Sequence, residues 1–370
     1  MKVVHMTSVH PRYDTRVFQK MCRSLAQRGH VVSLVVADGL GNETLGGVEI
    51  LDVGKSKSRL RRMLFATARV ASKALSVNAD IYHFHDPELL IVANWLRLKG
   101  KRVFFDSHED VPAQLSVKPY LNPFTRYLLS RCMLVLERLL VRRLSGVIAA
   151  TPFIRDKFLG MGARSIDVNN FPLLSEFPEA TSWDARKKRV VYVGGIEKIR
   201  GICEMVKALE STSEVESMEL CGEFSDPILK EEVKEFPGWS KVSAHGFVNR
   251  ASVARILSTS TVGLVTLHPT VNYKVALPVK MFEYMAAGLP VIASDFPLWR
   301  SIVEESGCGL VVNPLDPKEI AEAIDQILSN PERAREMGES GRRAILGKFN
   351  WGVEIGKLLD FYSAEAGKPS

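Results

Sequence analysis

In the second half of the chain a lysine and a glutamate stand three residues apart, Lys280 and Glu283, within Leu277-Pro278-Val279-Lys280-Met281-Phe282-Glu283-Tyr284-Met285-Ala286-Ala287-Gly288-Leu289-Pro290-Val291-Ile292. Pro278 at one end and Gly288-Leu289-Pro290 at the other frame a short helix that runs into a buried strand. A helix start offers free backbone N–H groups and the positive end of a dipole, a setting that suits a diphosphate. Lys280 adds a cation there. Glu283, on the same helix face, can accept from two vicinal hydroxyls at once, as a ribose 2′,3′-diol presents them. The same spacing also describes a solvated Lys–Glu pair worth about 0.3 kcal/mol.

A second candidate is the turn Gly194-Gly195-Ile196-Glu197-Lys198-Ile199-Arg200-Gly201, which comes after an apolar run, Val190 to Val193. Glycines let backbone approach a phosphate closely, and Arg200 can bind one through two hydrogen bonds. A Gly-Gly turn can equally be a turn and nothing more. The fingerprint Gly-x-Gly-x-x-Gly after a strand is absent from both halves, which counts against a nicotinamide or flavin enzyme. In the first half, His10, Asp14, Thr15 and Arg16 lie in a loop after the first apolar run, and His108 comes after another.

These residues need a scaffold. Val3–Met6 reads as a strand, Asp14 and Thr15 as helix N-caps, and Phe18, Met21, Cys22 and Leu25 recur at helical spacing before Gly29. Val31–Val36 is the next strand, so the unit requires a right-handed crossover and a parallel sheet. Strands are expected at 48–53, 80–84, 102–106 and 146–150, with helices at 59–77, 87–99 and 121–145. A proline-containing polar passage, 173–188, has the composition of a linker. The alternation then restarts at 190 and continues with strands at 217–221, 242–247, 262–267, 291–294 and 309–313. The expectation is α/β throughout: an N-terminal domain over 1–172, a C-terminal domain over 189–348, and a final helix and tail over 349–370.

Of 370 residues, 46% are apolar and 25% charged, an ordinary globular composition. The net charge of +7 is uneven: residues 1–180 carry 26 Lys and Arg against 16 Asp and Glu. That points to an acidic partner for the front half alone. Residues 55–73 interleave Lys55, Lys57, Arg59, Arg61, Arg62, Arg69 and Lys73 with Leu60, Met63, Leu64 and Phe65, a basic amphipathic segment suited to an anionic membrane surface. Residues 124–143 also mix arginines with leucines, and read as a helix facing the core. The basic residues lack aromatic stacking partners, so nucleic acid is not expected. Five scattered cysteines, the absence of a signal-peptide pattern and the absence of a spanning segment favour a cytoplasmic chain, peripheral at most to the inner face of a membrane. No Asp-x-Asp pair is present, and Glu109-Asp110 beside Asp106 lacks an evident partner for a cation, so neither a metal nor another cofactor is expected.

The C-terminal half resembles glycosyltransferase family 4, a retaining family with the GT-B fold. The likeness runs over 190–208, Gly246-Phe247-Val248, and 278–313 with Glu304 and Gly309-Leu310-Val311-Val312. The N-terminal half resembles a subset with the loop His-Pro-x-x-Asp-Thr-Arg, here His10-Pro11-Arg12-Tyr13-Asp14-Thr15-Arg16, and with segments like His85-Asp86-Pro87-Glu88-Leu89 and Phe105-Asp106-Ser107-His108-Glu109-Asp110. The resemblance implies two Rossmann-like, doubly wound parallel-sheet domains facing a cleft, with the last helix crossing back to the N domain. It assigns Arg200 and Lys280 to the diphosphate of a UDP- or GDP-linked sugar, with Gly194 and Gly195 beside them. Glu283 goes to the ribose, Gly246 and Phe247 near the base, and His108 to the transferred sugar. His10, Asp14, Thr15 and Arg16 fall on the acceptor side, where a glycan or lipid-linked intermediate of surface polysaccharide synthesis is expected. Two positions depart from the family: Gly195 replaces an arginine, and Val275 replaces a glutamate, leaving Asn272, Tyr273 and backbone amides to hold the sugar. The implied reaction retains anomeric configuration by front-face displacement, with no metal. A catalytically silent binding subunit and a nucleotide-sugar epimerase are the alternatives.

Overall fold

A computed structural model describes residues 1–56, 58, 61–117, 122–177 and 183–366. They form two compact units, Met1–Asn170 with Glu354–Ser370, and Phe171–Val353.

The first unit is built on an eight-stranded sheet: β1 (Lys2–Met6), β2 (Val31–Val36), β3 (Glu43–Leu45), β4 (Val48–Asp52), β5 (Ile81–Phe84), β6 (Arg102–Ser107), β7 (Gly146–Ala149) and β8 (Ser165–Asp167), in the order β3-β4-β2-β1-β5-β6-β7-β8. All neighbours pair in parallel except β3 with β4. The central strands are buried along their length apart from Val31 at the start of β2, as apolar runs require when helices cover both faces. Strand register gathers the histidines. His5 of β1 pairs with His83 of β5, so both side chains leave the sheet on one face, and His85 lies two residues further on.

The second unit carries six parallel strands, β9 (Arg189–Val193), β10 (Ser217–Cys221), β11 (Val242–Gly246), β12 (Val262–Val265), β13 (Val291–Ser294) and β14 (Gly309–Val312), ordered β11-β10-β9-β12-β13-β14. The hydroxyl of fully buried Tyr284 accepts from the Val193 N–H at 2.8 Å and pins the end of β9. Gly263 makes room for that ring, since a Cβ there would stand 2.2 Å from it.

Three expectations are corrected. The helix after Asp14 is π-helical over Thr15–Cys22 before an α-helical turn, Arg23–Gln27, and its wider turn brings Arg16 and Lys20 inside. Residues 173–188 are not a free linker: Phe177 is buried, and Arg186 donates to the carbonyls of Leu257, Ser260 and Ala287. Burial lowers the Arg186 guanidinium to about 10. Positions 178–182 of that passage lie outside the described residues. The helix Pro123–Leu140 faces the core along one side, where Met133, Leu134 and Leu140 pack against it and buried Glu137 binds Lys157 at 2.6 Å. Short polar β3 and β8 and the helix Val111–Val117 were not expected at all. The final helix, Trp351–Ala366, begins in the second unit and ends in the first, where Glu354 accepts from the Asn169 N–H at 2.6 Å.

Candidate functional site

In the second unit β9 runs into Gly194-Gly195, a short 3-10 turn over Lys198–Arg200, and the helix Ile202–Ser211. Gly201 closes the turn at φ +79°, and a Cβ there would meet the Thr266 carbonyl oxygen at 2.1 Å, so only glycine fits. Lys280 enters from the first turn of Val279–Ala286. Its stem reaches partly into solvent, but its Nζ is buried 3.6 Å from the centroid of the Tyr192 ring and has no hydrogen-bond partner. A Cβ on Gly194 would stand 3.1 Å from that Nζ and 3.7 Å from Arg200, and one on Gly195 would stand 3.6 Å from Arg200. Both cations therefore lie against the two glycines. Arg200 leaves its Nε without a hydrogen bond, and the nearest carboxylate, Glu197, is 3.8 Å away. Burial, and then the Arg200 charge, pushes Lys280 well below its usual pKa. Two cations held this close with so little opposing charge form a site for an anion.

Glu283 does not pair with Lys280. It accepts from Arg250 at 2.6 Å, and Arg250 also bridges to Glu176. Gly246 takes φ +64°, and the Phe247 N–H donates to Glu223 at 2.9 Å while its ring is 82% exposed. Tyr273 is an electrostatic neighbour of Arg200, whereas Asn272 is exposed. Both sit in the short helix Val271–Val275, which Thr270 caps. Arg250, Glu223 and Tyr192 were missed in the sequence, because their partners are distant in the chain.

The first unit gathers five of the eight histidines. His85 Nδ1 and His108 Nε2 bond Asp106 at 3.0 and 2.8 Å, and Arg16 clamps the same carboxylate at 3.0 and 2.6 Å. His5 Nδ1 bonds His85 Nε2 at 2.9 Å, and His83 Nδ1 bonds the Tyr362 hydroxyl. Burial first, and then neighbouring imidazoles, lowers His5 and His83 well below the usual histidine range. His85 is lowered as well, burial outweighing Asp106. Asp106 is held well below its ordinary value: burial opposes this, but Arg16 and the two histidines prevail. His10 lies 3.6 Å from Asp14 and 3.4 Å from Asp86; these carboxylates raise its pKa against burial. Asp14 caps the π-helix through the N–H groups of Arg16 and Val17, and Thr15 begins that helix. Arg16, expected on the acceptor side, is 5% exposed and committed to Asp106 and the Val168 carbonyl. Asp110 binds Lys157 rather than a cation site.

Among the described residues His5, His83 and His85, and also His85, Asp106 and His108, have nitrogen or oxygen atoms within 4.8 Å of one another, as metal ligands would. The second group is already filled, since Asp106 takes four hydrogen bonds, two from a guanidinium that would repel a cation. The spacing His83-x-His85 on a strand was the signal for this cluster that the sequence offered.

A family model described as "Glycosyl transferase 4-like domain" matches residues 15–173, and one described as "Glycosyl transferases group 1" matches 175–344. Spore coat protein SA of Bacillus subtilis is 28% identical over 48% of this chain and 48% of its own. The chain thus matches about half the length of the first curated relatives. A phosphatidyl-myo-inositol mannosyltransferase of Mycobacterium leprae is 21% identical over 84% of this chain and 80% of its own. Among solved structures, sucrose-phosphate synthase from Thermosynechococcus elongatus superposes with a TM-score of 0.79 at 18% identity, covering 98% of each chain. Anabaena Alr3699/HepE in complex with UDP-glucose gives 0.74 at 14% identity over 98% of this chain and 100% of that one. These likenesses identify the fold as GT-B. The chain thus carries a glycosyl transferase 4-like domain followed by a glycosyl transferases group 1 domain.

Proposed function

We propose that the chain is a retaining glycosyltransferase that moves a hexosyl or N-acetylhexosaminyl group from a UDP- or GDP-linked donor, without a metal, to a glycan or lipid-linked acceptor of surface polysaccharide synthesis. The observation that carries the donor half is the unpartnered, buried Lys280 Nζ beside Arg200 on the Gly194-Gly195 turn. A diphosphate supplies opposing charge and acceptors for the Lys280 Nζ and the Arg200 Nε, and the same cations stabilise charge growing on it as the glycosidic bond breaks. Arg200 already covers Gly195, where the family arginine would sit, which favours an active enzyme over a silent subunit. Glu283 exchanges Arg250 for the ribose hydroxyls, while Tyr273 lies on the sugar side. The UDP-glucose complex of Alr3699/HepE is consistent with such a donor.

On the acceptor side, the reading places the first unit at the inner face of an anionic membrane. Within 55–73, Met63, Leu64 and Phe65 are 46–61% exposed, and Lys57 and Arg59 lie outside the described residues. The helix Pro123–Leu140 adds Phe124, Tyr127, Val135 and Leu139, each more than half exposed, among Arg126, Arg131 and Arg138. No helix among the described residues is long and apolar enough to cross a membrane.

Calorimetric titration with UDP, GDP and their sugar conjugates, in EDTA, tests the donor half. One nucleotide binds, and Lys280→Ala and Glu283→Ala each abolish its binding. Failure of every nucleotide to bind sinks the reading in favour of a silent subunit, and binding that requires added Mg²⁺ sinks metal independence.

A further inference from the structure

The hydrogen bonds around Asp106 determine where the imidazole protons sit. A carboxylate only accepts, and this one accepts from Arg16 twice, from His85 and from His108. His85 therefore carries its proton on Nδ1, and its Nε2, as a lone pair, accepts from His5 Nδ1–H. His108 carries its proton on Nε2, so its Nδ1 is a lone pair when the ring is neutral. No residue among those described bonds that Nδ1, and the side chain is 20% exposed, the outermost member of this chain of bonds. The His10 ring lies against it, centroids 4.7 Å apart, and restrains its plane.

We infer that Asp106, immobilised by Arg16, is the positioning residue that fixes His108 in the Nε2–H form, so that Nδ1 accepts a hydrogen bond from a hydroxyl of the substrate sugar. This rests on the proposed glycosyltransferase reading, in which His108 contacts the sugar. It also gives the arginine of the His-Pro-x-x-Asp-Thr-Arg loop a role, which is to orient a carboxylate instead of touching the acceptor. Asp106→Asn keeps the size but replaces one acceptor with a donor. The new amide N–H can then bond His108 Nε2, which moves the imidazole proton to Nδ1 and removes the acceptor.

The test is side-chain ¹⁵N NMR of the full chain with labelled histidine, the His108 signals assigned by their loss in His108→Gln. The expected result is Nε2–H for His108 and Nδ1–H for His5 and His85 in the wild type, and Nδ1–H for His108 in Asp106→Asn. The same variant should lose about ten- to hundredfold in kcat, as for one hydrogen bond made in the transition state, while the Kd for the nucleoside diphosphate stays unchanged. A wild-type His108 protonated on Nδ1 overturns the inference, even if Asp106→Asn does not fold. An Asp106→Asn enzyme that switches tautomer yet keeps its kcat overturns it as well. Absence of nucleotide binding would instead defeat the donor reading, and the tautomers would still decide the placement of the His108 proton.

Discussion

Acidifying the protein from pH 7.5 to 5.5 should loosen the first unit through its buried histidines. His5, His83 and His85 are buried, and all three have lowered pKa values in the fold. Below about pH 6.5 the unfolded chain binds protons that the folded chain refuses, so stability falls as pH falls. Each histidine that stays neutral in the fold contributes a loss of about 1.4 kcal/mol over this interval, and the three together about 4 kcal/mol. His10, Glu137 and Glu354, whose pKa values are raised, gain stability in the same direction and make that figure an upper bound. Asp106 and Asp14 are held low, so they keep their contribution here and surrender it only below about pH 4. Hydrogen exchange of the β1 and β5 amides, corrected for the intrinsic rate at each pH, reads the opening free energy of this unit alone. His83→Gln should remove about one third of the pH slope. An opening free energy that stays flat between pH 7.5 and 5.5, or a slope untouched by His83→Gln, refutes the reasoning.

Lys280→Met should abolish nucleotide binding and leave the fold as stable or more so, because it removes a buried cation without a partner; chemical denaturation beside calorimetry checks both. Gly201→Ala should cost more than about 2 kcal/mol in the same denaturation assay and weaken nucleotide binding, since the added Cβ strikes the Thr266 carbonyl and shifts Arg200. Leu139→Ser with Phe124→Ser should reduce sedimentation with phosphatidylglycerol vesicles while leaving the thermal midpoint alone, for both side chains are exposed. Glu354→Ala should destabilise the first unit by about 2 kcal/mol, measured by exchange at β7 and β8, because it leaves the Asn169 N–H without its acceptor.

The strands of both units were legible to within a residue or two, because runs such as Val31–Val36 and Val291–Ser294 are apolar and are bounded by glycine or polar turns. The elements that were missed, β3 and β8, are three residues long and polar, held by the neighbouring strand rather than by their own composition. The π-helical turn at Thr15–Cys22 was unreadable, since Phe18, Met21 and Cys22 satisfy an α-helical spacing equally well. Over Pro123–Leu140 the core takes Met133, Leu134 and Leu140 and leaves Phe124, Val135 and Leu139 exposed, for periodicity says that a helix has an apolar face and leaves open how much of it is covered. For the site, Gly194, Gly195, Arg200 and Lys280 come together as their local motifs suggested. Glu283 turned instead to Arg250, 33 positions away, and Arg16 to Asp106, 90 positions away. Such partners are set by how helices pack on one another and on the sheet, which no local window contains.

The last helix has a consequence for biosynthesis. Its Phe361 ring stacks edge-on against Phe104 at 5.6 Å and fills the space above Gly146, where a Cβ would meet that ring at 2.5 Å, while Tyr362 caps His83. These side chains complete the core of a unit whose other strands leave the ribosome about two hundred residues earlier. Until the closing helix arrives, the nascent first unit must wait with an open aromatic groove and an uncapped histidine, while the second unit can already fold. Translation at about 5–20 residues per second makes that wait on the order of ten seconds or more. During that interval the exposed groove is a natural target for chaperones, and a ribosome stalled before residue 354 would release a first unit unable to close.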